Sequence, residues 1–205
     1  MAVPPPEPIG ADVIEAALAK RKLRTELRAA RAAFVDAMTP ARRAALEARA
    51  AEHLVPLLSA APSVAFYLAT GSEIGCRAAI DAVMMAGVTV ALPRVEGPEL
   101  AMRMICWTPG DQLERGWRGL LQPSPTGREI TPDAIVAPLL GFDADGWRLG
   151  QGAGFYDRLF AACPHAARIG LGWSIQQRDA IAHDSWDVAL AAIVTEQGVI
   201  EGARR

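Results

Sequence analysis

Residues 142–159 read FDADGWRLGQGAGFYDRL, and the interpretation of the whole chain turns on them. The opening Asp143-Ala144-Asp145-Gly146 is a tight-turn signal, an aspartate able to accept bonds from the backbone ahead of it and a closing glycine. Then come Arg148, three alternating glycines (Gly150, Gly152 and Gly154) and Phe155-Tyr156-Asp157. Upstream, the apolar run Ala134–Pro138 predicts a buried strand; downstream, apolar spacing over 156–163 predicts a short helix. A glycine-rich segment that opens a helix leaves backbone N–H groups unpaired at the positive end of the helix dipole, which suits a phosphate. Arg148 adds a permanent positive charge, and Asp157 is placed to position a magnesium ion. The pattern is neither the dinucleotide-binding G-x-G-x-x-G nor a Walker loop: a turn separates it from its strand, and no Lys-Ser or Lys-Thr closes it. A surface turn whose glycines merely permit positive φ is the plainer alternative. The arginine, tyrosine and aspartate crowded between 148 and 157 favour an anion site.

The whole chain narrows the class. At 205 residues and 21.8 kDa it is expected to fold as one domain over 11–205, after a proline-rich stretch, 1–10, expected to be disordered. A hydrophobic share of 51% beside 21% charge fits a soluble globular protein. The net charge of -2 argues against nucleic acid as a partner, so any anion binding must rest on local basic patches. Cys76, Cys106 and Cys163 are scattered without C-x-x-C spacing, which disfavours a disulfide framework or zinc site and fits a reducing cytoplasm. No basic-then-apolar leader is present, and no apolar run is long enough to span a membrane. The expectation is a cytoplasmic protein with small-molecule partners, a monomer or weak dimer.

Two helices should lead in. Residues 12–37 are rich in Ala, Leu, Arg and Lys, with Asp12 as N-cap and a rough apolar face from Val13, Ala17, Leu23, Leu27 and Phe34. Lys20 and Arg24, four apart, share one side of this helix; on residue types alone that side is as well read as a solvated face. Thr39 followed by Pro40 predicts the start of a second helix, running to about residue 58. His53 within it carries no role, and His165 and His183 fall in loops without metal spacing. Residues 63–69 read as a buried strand, 73–86 as a helix and 88–92 as the next strand, an order that requires a parallel crossover. Glu73 falls at the carboxyl end of that first strand, where open α/β sheets keep ligands; it is also a good residue for a helix N-terminal turn. Residues 100–107 give a strand with Met102 and Met104 on one face, which core packing alone would explain. Residues 108–125 are loop-like, with Trp117 able to stack on a ring or to anchor the loop. Strands over 167–173 and 192–196 complete an α/β fold: a mainly parallel sheet with flanking helices.

The stretch V-A-P-L-L-G-F-D-x-x-G-x-R-L-G-x-G-x-G-F-Y-D resembles the signature of the 5-formyltetrahydrofolate cyclo-ligases, also called 5,10-methenyltetrahydrofolate synthetases. The resemblance extends over about 19–199. It takes in Pro93-Arg94-Val95, a G-hydrophobic-x-[E/Q]-P segment at 119–123, and an ending over 186–196 similar to [H/W]-D-x-P-L-D-x-V-x-T-E. It implies a NagB/RpiA/CoA-transferase-like architecture, and ATP- and Mg2+-dependent conversion of 5-formyltetrahydrofolate to 5,10-methenyltetrahydrofolate with release of ADP and phosphate. It implies ATP-binding roles for Lys20, Arg24, Arg148, Gly150, Gly152, Gly154 and Tyr156. Reduced folate would meet Glu73, Met102, Trp117 and Tyr156, and Asp157 and Asp187 would serve the metal. The chain departs from the family pattern at Cys76 (Thr is usual), Ala153, Phe155, Ala189 (Pro) and Ala191 (Asp). If the Asp replaced by Ala191 helps to hold magnesium in relatives, this chain must rely on Asp157, waters and nucleotide oxygens. A sugar-phosphate isomerase or CoA-transferase of the same fold, and a non-catalytic reduced-folate binder, are the alternative readings; no Ser-His-Asp or Cys-His set competes with them.

Overall fold

The computed structural model describes residues 11–184 and 187–202, with backbone alone for 11–14 and 16. The expected disorder of 1–10, the cap by Asp12, the apolar contact of Val13 and the ring of Trp186 lie outside the described residues or side chains. Helix α1 spans Ala11–Asp36 and α2 spans Pro40–Leu58. Thr39 caps α2 as its sequence predicts: its hydroxyl accepts from the Arg42 N–H at 3.2 Å, a contact of the kind worth about 1 kcal/mol.

Among the described residues eleven strands follow: β1 Ser63–Ala65, β2 Thr89–Arg94, β3 Arg103–Cys106, β4 Leu113–Arg115, β5 Leu121–Pro123, β6 Ala134–Pro138, β7 Gly141–Phe142, β8 Arg148–Leu149, β9 Ala167–Leu171, β10 Ala192–Thr195 and β11 Gly198–Glu201. Helices α3, Arg77–Met85, and α4, Phe155–Ala162, connect them. Seven strands form one sheet in the order β11-β10-β9-β6-β1-β2-β3. The five inner strands pair in parallel, and an antiparallel strand closes each edge. The mainly parallel expectation is met. Strand alternation sends neighbouring side chains to opposite layers. Val64, Ala134 and Val136 join Leu54 and Leu58 of α2 and Ile80 and Val83 of α3. Ala65, Ile135 and Ala137 join Leu159 and Phe160 of α4. A sheet covered on both faces explains why these strands read as unbroken apolar runs.

That winding has a consequence for function. From β1 the chain crosses by α3 to β2 on one side; from β6 it crosses by α4 to β9 on the other, over the opposite face. The strand order reverses between β1 and β6, and their carboxyl ends part to leave a crevice where open α/β sheets bind ligands.

Several boundaries differ from the sequence reading. The helix expected from Glu73 begins at Arg77, so Glu73 sits in a turn ahead of it rather than in the helix. The Glu73 carboxylate folds back onto the Thr70 N–H and hydroxyl, at 2.9 and 3.1 Å, which holds the chain out of helical geometry. The strand expected over 63–69 is shorter, as is that over 100–107. The loop-like 108–125 contains the β4–β5 hairpin. Arg94 donates to the Pro123 carbonyl and Glu114, and Gln122 accepts from the Val95 N–H, so the 93–95 step and the 119–123 segment are one joint. Glu196, in the turn between β10 and β11, accepts from the Ser174 N–H at 2.9 Å and so caps the turn after β9.

Candidate active site

The aspartate turn and the glycine loop lie over the carboxyl end of β6. Asp143 accepts from the N–H groups of Asp145 and Trp147 and, through its second oxygen, from Ile181; Gly146 adopts φ +90°. The β7–β8 hairpin that results delivers Arg148 to the mouth of the crevice. Gly152 and Gly154 have φ of +99° and +67°, so their freedom is needed, and Gly154 forms the N-cap of α4. Gly150 is different: a methyl group there would meet nothing within 4 Å.

A cleft of about 420 Å³ opens over this loop. It is lined by Lys20 and Arg24 of α1, by Arg148 and the loop 150–154, and by Tyr156, Asp157 and Asp187. All nine residues predicted for phosphate and metal therefore line one cleft. Their charges are partly satisfied within the chain. Lys20 pairs with Asp184 at 2.7 Å, Arg24 donates to the Gly150 carbonyl at 3.0 Å, and Arg148 pairs with Asp157 and donates to the Val188 carbonyl. Burial holds the pKa of the Arg148 guanidinium below its ordinary value, opposed by the charges of Asp157 and Asp187; burial and Arg28 lower that of Arg24 likewise. Asp187 accepts from the Asp184 N–H at 2.7 Å. Among the described residues no group of three or more His, Cys, Asp or Glu side chains could cage a metal ion. Magnesium seldom uses such a cage; one or two carboxylates plus phosphate oxygens and waters are its usual set.

Glu73, Met102 and Trp117 do not line the cleft. Met102 and Trp117 share a packed layer with Tyr156, and Glu73 acts on that ring only electrostatically. Burial pushes the Tyr156 phenol well up, with Glu73 and Cys76 adding to the shift and Arg148 opposing it, so this ring lies within the electrostatic reach of both groups. Met102 is buried in the layer against which Trp117, Phe155 and Tyr156 pack, and Trp117 meets Phe155 edge-on at 5.5 Å. Glu73 is held from several directions. Its Oε2 takes the two Thr70 bonds, its carbonyl accepts from Arg43 of α2, and its Oε1 lies 3.8 Å from Arg31 of α1. Cys76, where a threonine is usual, is buried with its thiol pushed up to about 12, against the opposing effect of its hydrogen bond with Tyr67. It is a neutral packing residue.

A model of the 5-formyltetrahydrofolate cyclo-ligase family matches residues 16–196. The chain belongs to this family. A 5-formyltetrahydrofolate cyclo-ligase of Escherichia coli is 29% identical over 175 residues, 80% of this chain and 96% of the relative. One from Mycolicibacterium smegmatis is 32% identical over 148 residues, covering 67% and 76%. The solution structure of Aquifex aeolicus 5,10-methenyltetrahydrofolate synthetase superposes with a TM-score of 0.74 at 25% identity, over 91% of this chain and 95% of that one. A Mycoplasma pneumoniae 5,10-methenyltetrahydrofolate synthetase, at 22% identity and a TM-score of 0.68, shares the fold.

Beside the family motifs the structure adds residues that sequence reasoning passed over. Arg28 forks onto the Gln151 side-chain Oε1 at 3.0 and 2.9 Å, tying α1 to the glycine loop. Asp184 is the partner of Lys20. The spacing Lys20, Arg24, Arg28 is the signal that was available for the first. Ala191 lines a neighbouring groove of about 850 Å³ that shares Asp187 with the cleft. That groove is larger, but the aliphatic side chains of Ile169, Leu190 and Val199 dominate it and none of Lys20, Arg24 and Arg148 lines it. The site is assigned to the smaller cleft.

Proposed function

We propose that the protein converts 5-formyltetrahydrofolate and MgATP to 5,10-methenyltetrahydrofolate, ADP and phosphate, acting in the cytoplasm as a monomer or weak dimer. One observation carries the reading: at the sheet's switch point Lys20, Arg24 and Arg148 gather around a glycine loop, and the turn beyond β1 at the same switch point holds a buried carboxylate, Glu73.

The parts match the chemistry. A formamide oxygen is a poor leaving group, and phosphorylation by ATP lets it depart as phosphate when the neighbouring anilino nitrogen closes on the formyl carbon. Phosphoryl transfer depends on positioning and charge neutralisation far more than on covalent help from protein. Lys20, Arg24, Arg148 and the N–H groups of 150–154 would hold the triphosphate. Magnesium would arrive with the nucleotide and neutralise phosphate charge, with Asp157 and Asp187 as the protein carboxylates beside it. Glu73 would accept N–H groups of the pterin, with Met102 and Trp117 packing on its rings. Holding both reacting nitrogens of one substrate in a closed site gives a large effective concentration and keeps water from the activated formyl group.

The test is direct. Protein mixed with 5-formyltetrahydrofolate should generate the ultraviolet absorbance of methenyltetrahydrofolate only when ATP and magnesium are both present, with one phosphate released per product. Conversion that persists after apyrase and chelation overturns the proposal. Tight folate binding without product would instead mark a binding protein, and neither binding nor product would return the fold to sugar-phosphate or CoA chemistry.

A further inference from the structure

Arg31 is a buried cation on the apolar side of a helix. It follows Leu27 by one turn and precedes Val35 by another, both buried, and is itself 6% exposed. A charge withdrawn from water in this way is costly unless its surroundings replace the lost solvation. Each of its contacts lies at the crevice: Nε donates to the Ser72 hydroxyl at 3.1 Å, Nη1 to the Leu139 carbonyl at 3.4 Å, and Nη1 lies 3.8 Å from Glu73 Oε1. Leu139 immediately follows β6, and Ser72 and Glu73 belong to the turn beyond β1, so Arg31 spans the switch point itself.

The two oxygens of Glu73 are treated differently. Oε2 is occupied by the Thr70 N–H and hydroxyl. Oε1 faces the guanidinium at a distance that neutralises its charge but is too long for a hydrogen bond. The turn backbone is fixed separately, by Arg43 on the Gly71 and Glu73 carbonyls and by the Trp173 indole N–H on the Ser72 carbonyl at 3.0 Å. Arg31 is therefore not required merely to hold the loop. Its fork, pinned by Ser72 and Leu139, sets how far its positive charge stands from Oε1.

We propose that Arg31 is a positioning residue for Glu73. It supplies the counter-charge that keeps the buried carboxylate an acceptor, while standing far enough back to leave Oε1 free for an N–H donor of the substrate. The inference rests on the functional reading above, in which Glu73 receives the pterin.

Three variants decide it: Arg31→Met, Arg31→Lys and Glu73→Gln, with each Arg31 change also made in the Glu73→Gln background. Melting curves accompany the steady-state kinetics. Arg31→Met should raise the KM for 5-formyltetrahydrofolate roughly tenfold, the effect of losing a charge-assisted contact, while the KM for ATP stays within about twofold. Arg31→Lys should fall between, because an ammonium keeps the charge but not the fork. In the Glu73→Gln background either change should add less than about twofold, since the residue through which Arg31 acts has gone. Equal rises in both KM values, or penalties that persist undiminished beside Glu73→Gln, make Arg31 a structural pin and overturn the proposal. If melting shows that Arg31→Met does not fold, Arg31→Lys decides alone, and a lysine enzyme identical to wild type overturns it as well. A wild-type protein that forms no methenyltetrahydrofolate defeats the functional reading first; a working enzyme with a non-selective Arg31→Met defeats only the role of Arg31.

Discussion

The two halves of the site are built on opposite principles. Around the glycine loop the cations are several: Lys20 and Arg148 are paired with carboxylates that solvent also reaches, and Arg24 bonds the Gly150 carbonyl. Asp184 and Asp157 are about half exposed at 46% and 51% of their side-chain surface. Around Glu73 there is one carboxylate, 9% exposed, whose partners are a hydroxyl and an N–H of its own turn and a buried arginine. An exposed ion pair is worth at most about 1 kcal/mol, so a phosphate oxygen can replace Asp184 on Lys20 at little cost. A buried carboxylate cannot rearrange cheaply, because any moment without partners carries the full penalty of desolvation. The proposed nucleotide half is therefore suited to exchange partners, and the half at Glu73 to be ready before a ligand arrives.

The comparison breaks most sharply at Arg148. Its side chain is 7% exposed, and its guanidinium lies over the Phe160 ring with Asp157 and the Val188 carbonyl as partners. Arg148→Met keeps the length and loses the charge. We expect kcat/KM for ATP to fall roughly 10²–10³-fold, as for removal of one preorganised electrostatic stabiliser. The stability loss should stay near about 1–2 kcal/mol, because Asp157 remains solvated. A variant that retains ATP use while melting far below wild type would mean that the cation serves the fold instead.

Glu73→Gln tests the other half. It preserves shape but turns an anionic acceptor into a neutral amide beside a buried arginine. The KM for 5-formyltetrahydrofolate should rise about 10- to 100-fold, the range of a charge-assisted bond of about 1.5–3 kcal/mol, with the KM for ATP nearly unchanged. An ATP-selective defect would place Glu73 in the wrong half of the site.

How much of this was legible in the sequence follows the same division. The glycine loop, Arg148 and the Lys20–Arg24 pair are local patterns, and the strand Ala134–Pro138 was read to the residue because its first four side chains are buried in an unbroken apolar run. The cap at Thr39 was equally local. The Glu73 half was only partly legible. The residue was found, but its helix was begun four positions early because the side chain that seemed to start it is bound backward to Thr70. Arg31, Arg43 and Arg28 were missed as groups because their meaning depends on segments far off in sequence: Ser72 and Leu139, Gly71, and Gln151. The short β7–β8 hairpin is likewise set by tertiary contact: a methyl group on Gly141 would stand 2.7 Å from Leu27 of α1.

Lys20→Ala and Arg24→Ala should act on the nucleotide half alone, each raising the KM for ATP roughly tenfold. The increase should be greater at low ionic strength, where exposed charges are less screened. Arg24→Ala also frees the Gly150 carbonyl and should be the more severe of the two. ATP dependence unaltered in both would make this side of α1 a solvated face and leave Arg148 as the site's principal cation.

The smallest expected effect separates a loop shaped for its own conformation from one shaped for a ligand. Gly152 has φ +99°, so Gly152→Ala is strained in the free protein and should lower stability by about 1 kcal/mol whatever binds there. Gly150 lacks positive φ, and an added methyl would meet no atom within 4 Å. Nothing within the folded chain asks for glycine at 150. If phosphate oxygens lie against that backbone, Gly150→Ala should leave the melting temperature unchanged or slightly raised, since alanine restricts the unfolded chain. The same methyl would hold the phosphates off, and the KM for ATP should rise a few-fold while the folate KM does not move. Thermal melts with and without MgATP read both effects in one experiment: the unliganded melt tests the space around Gly150, and the nucleotide-induced shift tests what fills it. A Gly150→Ala enzyme stabilised by MgATP as fully as wild type would show that the triphosphate does not approach the loop at 150. The anion contacts would then belong to Arg148, Lys20 and the first turn of α4.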